Sequence, residues 1–348
     1  MAKKLNPLVK PSAARNTLLT AMLAALLAVL ATPVHATTSI YYTMGDATTA
    51  NAVGVTVYNP GTSAITSTNN TFISNSPTTV FGSPYGIAVD QAGNVYVGDL
   101  NQNIDFHSGG FNGNIGKYTA STGIYDPKFV YFFSQVHNPW ALLLNGNTLL
   151  ASEHTYNVVN TYNSTTGAVI AQPLINSTNI DYAIGMAQDS SGNIYIANYG
   201  GGTVAKFDAS GNFLSNIITT THPAGVAVVG SDLYVTNYDA NTISKYDLSG
   251  NLTPGEGTWA TTGSHPIALI SDGTNLFSAN YGGGTITEYS LATGSEILQP
   301  GGGHFLSGLG HPIGLAILSV PEPSSVALLC ICGGAFVAWR VRRRQPLA

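Results

Sequence analysis

The chain has 348 residues, with 17 acidic side chains, 12 basic ones and a formal net charge of −5. Every arginine lies near one end, so the stretch from Thr37 to Val320 has four lysines against sixteen acids, a formal charge of −12. A surface with this excess of carboxylates repels phosphate backbones, which argues against nucleic acid as a partner.

The N-terminal residues have the composition of a secretory signal peptide. Four basic residues precede an apolar run at 18–31, and small residues follow at 34–36. A positive start, a short apolar run and a small-residue cleavage site are typical of such a leader. We therefore predict that residues 1–36 are a signal peptide and that the mature protein begins near Thr37. A retained N-terminal anchor is the alternative, although the run is short for a membrane span.

Residues 37–319 contain a repeated motif. The copy that begins at Pro84 reads PYGIAVDQAGNVYV, and its counterparts at Ile184 and Pro223 read IGMAQDSSGNIYI and PAGVAVVGSDLYV. Aligning six copies on one small residue gives intervals of 55, 44, 40, 43 and 46 residues; the aligned residues are Gly86, Ala141, Gly185, Gly225, Ala268 and Gly314. A period in the forties with four short strands per copy is typical of a β-propeller.

Each copy predicts four strands separated by turns. In the copy that begins at Ile184, strands are predicted at 185–187, 194–197 and 203–207, with turns at 189–193 and 208–212. Asp begins these turns and Gly provides a residue with positive φ, as short hairpins require.

The number of blades follows from the two ends of the repeat region. The last copy stops after one strand, whereas the mature N-terminus begins with the pattern of the missing three, at 40–43, at 53–58 and near Ile65. Pairing the ends gives one composite blade and an all-β, six-bladed propeller. A seventh blade within 62–80 is the alternative.

Phrases within the copies resemble two repeat families. The sequences LYVTNY at 233–238 and IYIANY at 194–199 resemble the YVTN repeat, and PYGIAVD with GNVYV in the copy at Pro84 resembles the NHL repeat. The resemblance extends over roughly residues 39–320 and implies a propeller. A propeller fold does not by itself decide the function.

The last segment, 320–348, contains three features in order. They are a Pro-Glu-Pro motif, an apolar stretch at 326–339 and an arginine cluster, with the motif and the cluster formed by Val320, Pro321, Glu322, Pro323, Arg340, Arg342, Arg343 and Arg344. The prolines keep the motif extended, and arginines that follow an apolar helix hold the C-terminus in the cytoplasm.

This order resembles the PEP-CTERM sorting signal of Gram-negative bacteria. The resemblance implies an exosortase-type processing enzyme as partner and cleavage near the motif. It also implies a single transmembrane helix that anchors the protein in the inner membrane before processing, and then delivery to the cell surface or extracellular matrix. A membrane anchor that is never cleaved is the alternative.

Two sets of side chains are predicted to surround one mouth of the central channel. The first set precedes the inner strands and consists of His222, His265 and His311. The second set follows the second strands and consists of Asp99, Asn198, Tyr199, Asn237, Tyr238, Asn280 and Tyr281.

Both sets have a functional and a structural interpretation. Imidazoles that converge on one mouth predict a divalent-metal site, whereas a structural role would have them pack between blades. Tyrosine faces and amides predict a polysaccharide or protein ligand, whereas a structural role would have the Asx residues cap loops. We expect no cofactor, and a divalent metal is the alternative.

An enzyme is the rival hypothesis. Some six-bladed propellers are lactonases, and virginiamycin B lyases share the architecture, so a metal-dependent enzyme of either kind is the alternative. Glu153 and His154, the one acid–histidine neighbour pair, are its candidate catalytic residues. No hydrolase, zinc-protease or P-loop spacing occurs in the sequence, so we expect a non-enzymatic binding or scaffold protein.

Overall fold

The computed structural model describes residues 37–45, 51–74, 83–99, 113–119, 124, 126 and 138–319. The predicted signal peptide and sorting segment lie outside these residues. Every regular element within them is a β-strand, as predicted for an all-β domain. No helix in the described part of the chain is both long and apolar enough to cross a membrane.

The strands form six antiparallel sheets, which are the blades. From the inner to the outer strand, the closing blade contains β22 (Pro312–Ser319), β1 (Thr38–Met44), β2 (Asn51–Asn59) and β3 (Ala64–Ser74). The next blade contains β4 (Pro84–Val89), β5 (Asn94–Asp99) and β6 (Asn114–Thr119). It is followed by β7 (Pro139–Asn145), β8 (Thr148–Glu153), β9 (Val158–Asn163) and β10 (Val169–Asn176).

The remaining three blades follow the same order. One contains β11 (Ala183–Gln188), β12 (Ile194–Asn198), β13 (Thr203–Phe207) and β14 (Phe213–Thr219). The next contains β15 (Pro223–Val229), β16 (Asp232–Asn237), β17 (Thr242–Asp247) and β18 (Ala260–Thr261). The last contains β19 (Pro266–Ser271), β20 (Asn275–Asn280) and β21 (Thr285–Ser290).

The inner strands close into a ring. Their contacts run in the cyclic order β4, β7, β11, β15, β19, β22 and back to β4. The ends of the propeller meet inside one blade, where Thr38 pairs with Ser319 and Tyr41 with Ala316. This confirms the composite blade and the six-bladed propeller. The segment considered for a seventh blade contains β3, which is the outer strand of the closing blade.

The repeated small residue is explained by how closely the inner strands approach each other. A Cβ atom at Gly225 would lie 2.8 Å from the backbone carbon of Ala268 on the next inner strand. A Cβ at Gly86 would lie 3.0 Å from the carbonyl oxygen of Trp140. The ring therefore has room for glycine or, at two positions, alanine.

Two faces of the ring can be distinguished by the connections between strands. The turn face carries the turns that join the first to the second strand of each blade and, in the four blades with four described strands, the third to the fourth strand. The loop face carries the starts of the inner strands and the loops between second and third strands. The candidate functional residues lie on the loop face.

On the turn face, tyrosine and lysine side chains attach one blade to the next. Tyr96 Oη and Lys117 Nζ both donate to the carbonyl oxygen of Ser164, at 2.8 and 3.1 Å. Lys206 Nζ donates to the carbonyl oxygen of Leu248 at 3.0 Å. Lys245 Nζ lies 3.0 Å from Asp232 Oδ2 within its own blade. Every lysine among the described residues therefore has a bonded partner on this face.

The closing blade packs on its neighbour through a buried polar cluster. Glu288 of β21 is fully buried, and its Oε1 accepts hydrogen bonds from Ser63 Oγ and Asn275 Nδ2, both at 2.7 Å. Tyr58 Oη donates to Asp272 Oδ2 at 2.7 Å in the same region. Burial raises the pKa of Glu288 to about 7, and the charge of Asp272 acts in the same direction. The sequence did not predict this cluster.

Candidate functional site

The central channel is lined by the inner strands, whose side chains there are mostly aliphatic. It contains two cavities, of about 70 and 290 Å³. The boundary between them is a ring with one side chain from each blade: Ile87, Leu142, Met186, Val226, Leu269 and Leu315. Among the described residues, no carboxylate or imidazole lines either cavity. The described channel lining therefore offers a floor of mostly aliphatic side chains, without carboxylate or imidazole.

Aromatic side chains surround the channel at the loop face. Tyr85 and Trp140 are the second residues of their inner strands, line the smaller cavity and have ring centroids 4.2 Å apart. Trp140 is also 5.8 Å from Tyr182, and Tyr182 is 5.7 Å from Tyr199. Tyr199 in turn contacts Tyr238 edge-to-face at 5.4 Å. We call this arrangement, together with Tyr281, the aromatic mouth.

The predicted histidines lie at the boundaries between blades, each against a predicted tyrosine. Rings are stacked in the pairs Tyr199–His222, Tyr238–His265 and Tyr281–His311, with centroids 4.5, 4.6 and 4.5 Å apart. A fourth boundary has the two residue types exchanged, with His154 edge-on to Tyr182 at 3.6 Å. Each pair therefore joins the loop of one blade to the inner strand of the next.

The backbone at these boundaries is strained in a repeated way. Tyr182, His222 and His265 each have φ values in the left-handed region, at 60°, 45° and 56°, immediately before their inner strands. Such conformations cost free energy in non-glycine residues and persist where surrounding contacts hold them. Here the stacked rings of the neighbouring blade supply those contacts.

The three predicted asparagines are buried and bonded within their own loops. Asn198 is 1% exposed, and its Nδ2 donates to the carbonyl oxygen of Asn179 and to Thr203 Oγ1. Asn237 and Asn280 bond the threonines Thr242 and Thr285 in the same manner. Because their amides hold the loops in place, the asparagines position the tyrosines that follow them.

The two acidic candidates are also buried. Asp99 is 1% exposed, and its Oδ1 accepts from the Ser83 amide at 2.8 Å. Glu153 is 1% exposed at the end of β8, where its charge contributes to a raised pKa of Tyr162. His154 is partly buried, and desolvation lowers its pKa, which keeps the imidazole neutral. Glu153 is therefore buried, and His154 packs against the aromatic rings of Trp140 and Tyr182.

The predicted metal site lacks a suitable set of ligands among the described residues. His222, His265 and His311 stand at three separate blade boundaries. Within the described ranges, no three His, Cys, Asp or Glu side chains lie close enough together to hold a metal ion. The residues described at the mouth thus do not fit a divalent metal.

The tyrosine hydroxyls converge over the mouth and influence each other. Burial raises the pKa of Tyr85, with further contributions from Tyr281 and Tyr182. Burial also raises the pKa of Tyr199, with a contribution from Asp239. Tyr85 and Tyr199 therefore present neutral phenols, which can both donate and accept hydrogen bonds at physiological pH.

Sequence reasoning missed Tyr85, Trp140 and Tyr182. In the aligned copies, the position of Tyr85 and Trp140 is occupied by Ile184, Ala224, Ile267 and Ile313. The signal for Tyr85 and Trp140 would have been an aromatic residue at a position where the other four copies have an aliphatic one. Tyr182 stands where the next three copies have histidine.

The fold is that of a six-bladed β-propeller. The chain belongs to the SMP-30/Gluconolactonase/LRE-like family, whose model matches residues 29–239. This is a related propeller family, and the resemblance to NHL and YVTN repeats stays a prediction. No curated protein matches the sequence.

The C-terminal segment matches the PEP-CTERM protein-sorting motif over residues 319–344, as predicted. The motif implies export, membrane-anchored sorting and recognition by an exosortase-type enzyme. Its predicted transmembrane helix lies outside the described residues.

Two solved structures share the fold. A chain of a nidogen/laminin complex is similar with a TM-score of 0.59 and 16% identity, over 81% of this chain and 98% of that one. A candidate 6-phosphogluconolactonase from Bacteroides fragilis NCTC 9343 is similar with a TM-score of 0.56 and 14% identity, over 83% of this chain and 99% of that one. At these identities the likeness concerns the fold alone.

Proposed function

We propose that the protein is a non-enzymatic binding propeller that is delivered to the cell surface or the extracellular polysaccharide matrix and binds carbohydrate at its aromatic mouth. The observation that carries the proposal is the chain of aromatic rings from Tyr85 to Tyr238 around a floor of mostly aliphatic side chains. Aromatic faces stack on the apolar faces of sugar rings, while phenol hydroxyls bond their hydroxyl groups.

The sorting signal supports the same proposal. A protein processed by an exosortase leaves its membrane anchor and then needs another means of staying with its surroundings. Binding to a matrix polymer supplies that means. The aromatic mouth is rigid because stacked rings and buried asparagines hold it, which lowers the entropic cost of binding.

Lactone hydrolysis is the second candidate function. The family match and the likeness to a candidate lactonase favour it. In this candidate function, Glu153 and His154 would be the catalytic residues. Hydrolysis of a lactone panel that is lost in Glu153→Gln would establish this candidate in place of the first.

A glycan microarray probed with residues 37–320 tests carbohydrate binding. We expect Tyr199→Ala and Tyr238→Ala each to weaken binding about five-fold, since each removes one aromatic ring of the mouth. Phe213→Ala is the matched control, because Phe213 is an exposed aromatic residue on the outer strand of the same blade as Tyr199. Binding that is absent, or unchanged in both tyrosine variants, would contradict the proposal.

A further inference from the structure

Two carboxylates flank Tyr199 at the mouth. Asp239 Oδ2 lies 2.5 Å from His222 Nδ1, and the His222 ring is stacked on Tyr199 with an interplanar angle of 15°. Asp181 lies on the other side, next to Tyr182 in the chain. A Cβ atom built on Gly200, the residue after Tyr199, would be 3.1 Å from Asp181 Oδ1. The side chain of Asp239 is 51% exposed, so a ligand can reach it.

The repeats show that the fold does not require these carboxylates. Asp239 follows Tyr238 in its loop, and the equivalent residues in two sister copies are Gly200 and Gly282. Asp181 precedes the boundary residue Tyr182, and the equivalents in the next two copies are Thr221 and Ser264. Glycine, threonine and serine occupy the equivalent positions of other copies. The carboxylates are therefore not needed for the fold, and they add negative charge at the mouth.

Carboxylates outnumber lysines on both faces, but the described part of the loop face has no lysine to offset them. The lysines of the described residues lie on the turn face, where Lys117 and Lys206 bond carbonyl oxygens and Lys245 bonds Asp232. Asp181 and Asp239 lie on the loop face. The field at the mouth therefore attracts cations and repels anionic polymers such as uronates or sulfated glycans.

We propose that the ligand of the aromatic mouth is a cationic amino-sugar polymer, whose ammonium groups bind among Asp181, Asp239 and the rings of Tyr182, Tyr199 and Tyr238. This inference rests on the proposed carbohydrate-binding function and adds the ligand class. Tyrosine faces attract cations through the ring quadrupole. Carboxylates beside such faces add ion pairs, and the sugar ring supplies the apolar face that the tyrosines stack on.

Isothermal titration calorimetry of residues 37–320 with three tetrasaccharides tests the proposal. The three are glucosamine, N-acetylglucosamine and galacturonic acid tetramers, which are cationic, neutral and anionic. We expect the glucosamine tetramer to bind about ten-fold more tightly than the N-acetylated one at low salt. The preference should shrink as salt is raised, because the Debye length falls from roughly 30 Å at 0.01 M to about 8 Å at 0.15 M.

Aspartate variants distinguish the effect on binding of a carboxylate at the mouth from the effect of the protein's overall charge. Asp239→Asn and Asp181→Asn should each weaken glucosamine binding about three-fold and leave N-acetylglucosamine binding unchanged. Asp208→Asn removes the same charge from an exposed turn on the turn face and should change neither.

Each outcome bears on one hypothesis. If the N-acetylated or the anionic tetramer binds as tightly as the glucosamine tetramer, the ligand class is wrong while the carbohydrate function stands. If Asp208→Asn weakens binding as much as Asp239→Asn, the local carboxylate site is also wrong. If no tetramer binds in a way that depends on Tyr199, the proposed function itself fails.

Discussion

Raising the pH from about 5 to about 9 is expected to lower the free energy of unfolding by about 2 to 3 kcal/mol through Glu288 alone. Glu288 is fully buried between the closing blade and its neighbour, where burial raises its pKa from 4.5 to about 7. Between these two values the folded state holds a proton that the unfolded state has released. Stability is therefore fully present at low pH and is lost as the pH rises to about 7.

Glu288→Gln tests this expectation, because the amide keeps the shape of the protonated acid and cannot ionise. The variant should match the parent protein near pH 5 and be more stable above neutral pH, as measured by urea unfolding across the pH range. Glu256→Gln, on the neighbouring blade, is the control for the loss of one carboxylate. Parallel pH profiles for Glu288→Gln and the parent would show that Glu288 is ionised in the folded state at all these pH values.

Adding a single methyl group to the ring of inner strands is expected to lower the free energy of unfolding by a similar amount. Gly225→Ala should lower the free energy of unfolding by about 2 kcal/mol, as overpacking of a tight interior does. The added Cβ would lie 2.8 Å from both the backbone carbon of Ala268 and the amide nitrogen of Leu269. The inner strands would have to separate, and the displacement would affect a ring that is closed at every boundary.

Thermal unfolding monitored by circular dichroism measures the effect. Gly303→Ala is the matched control, since a Cβ there would have no heavy atom within 4 Å and the change should be neutral. Equal melting temperatures for Gly225→Ala and the parent would mean that the inner strands are further apart than the structure places them. The explanation for the repeated small residue would then fail.

The sequence was sufficient for the propeller and its closure because both leave local signals. The Asp-to-Gly-Asn turns and the period in the forties predict hairpins one after another. The single strand at Pro312 and the strands after Thr37 are complementary fragments of one copy. The pairing of Thr38 with Ser319 confirms that interpretation.

The mouth was only partly predictable because its contacts join residues from different blades. The sequence identified Tyr199 and His222 separately, but their stacking depends on the angle between neighbouring blades. The sequence analysis also placed Asn198 and Tyr199 in one candidate set. In the structure, the Asn198 amide is buried and holds the loop, whereas the Tyr199 ring is partly exposed. Trp140 was missed because an aromatic residue in an inner strand has the pattern of a core residue.

Trp140 allows the most direct test of carbohydrate binding at the mouth. Residues 37–320 contain only Trp140 and Trp259, so Trp259→Phe leaves a single tryptophan, which lies at the mouth. The measurement is Trp140 fluorescence during titration with the glucosamine tetramer. We predict a saturable change in emission that gives the same dissociation constant as calorimetry. Binding detected by calorimetry with no change in Trp140 emission would place the ligand elsewhere on the propeller and contradict the account.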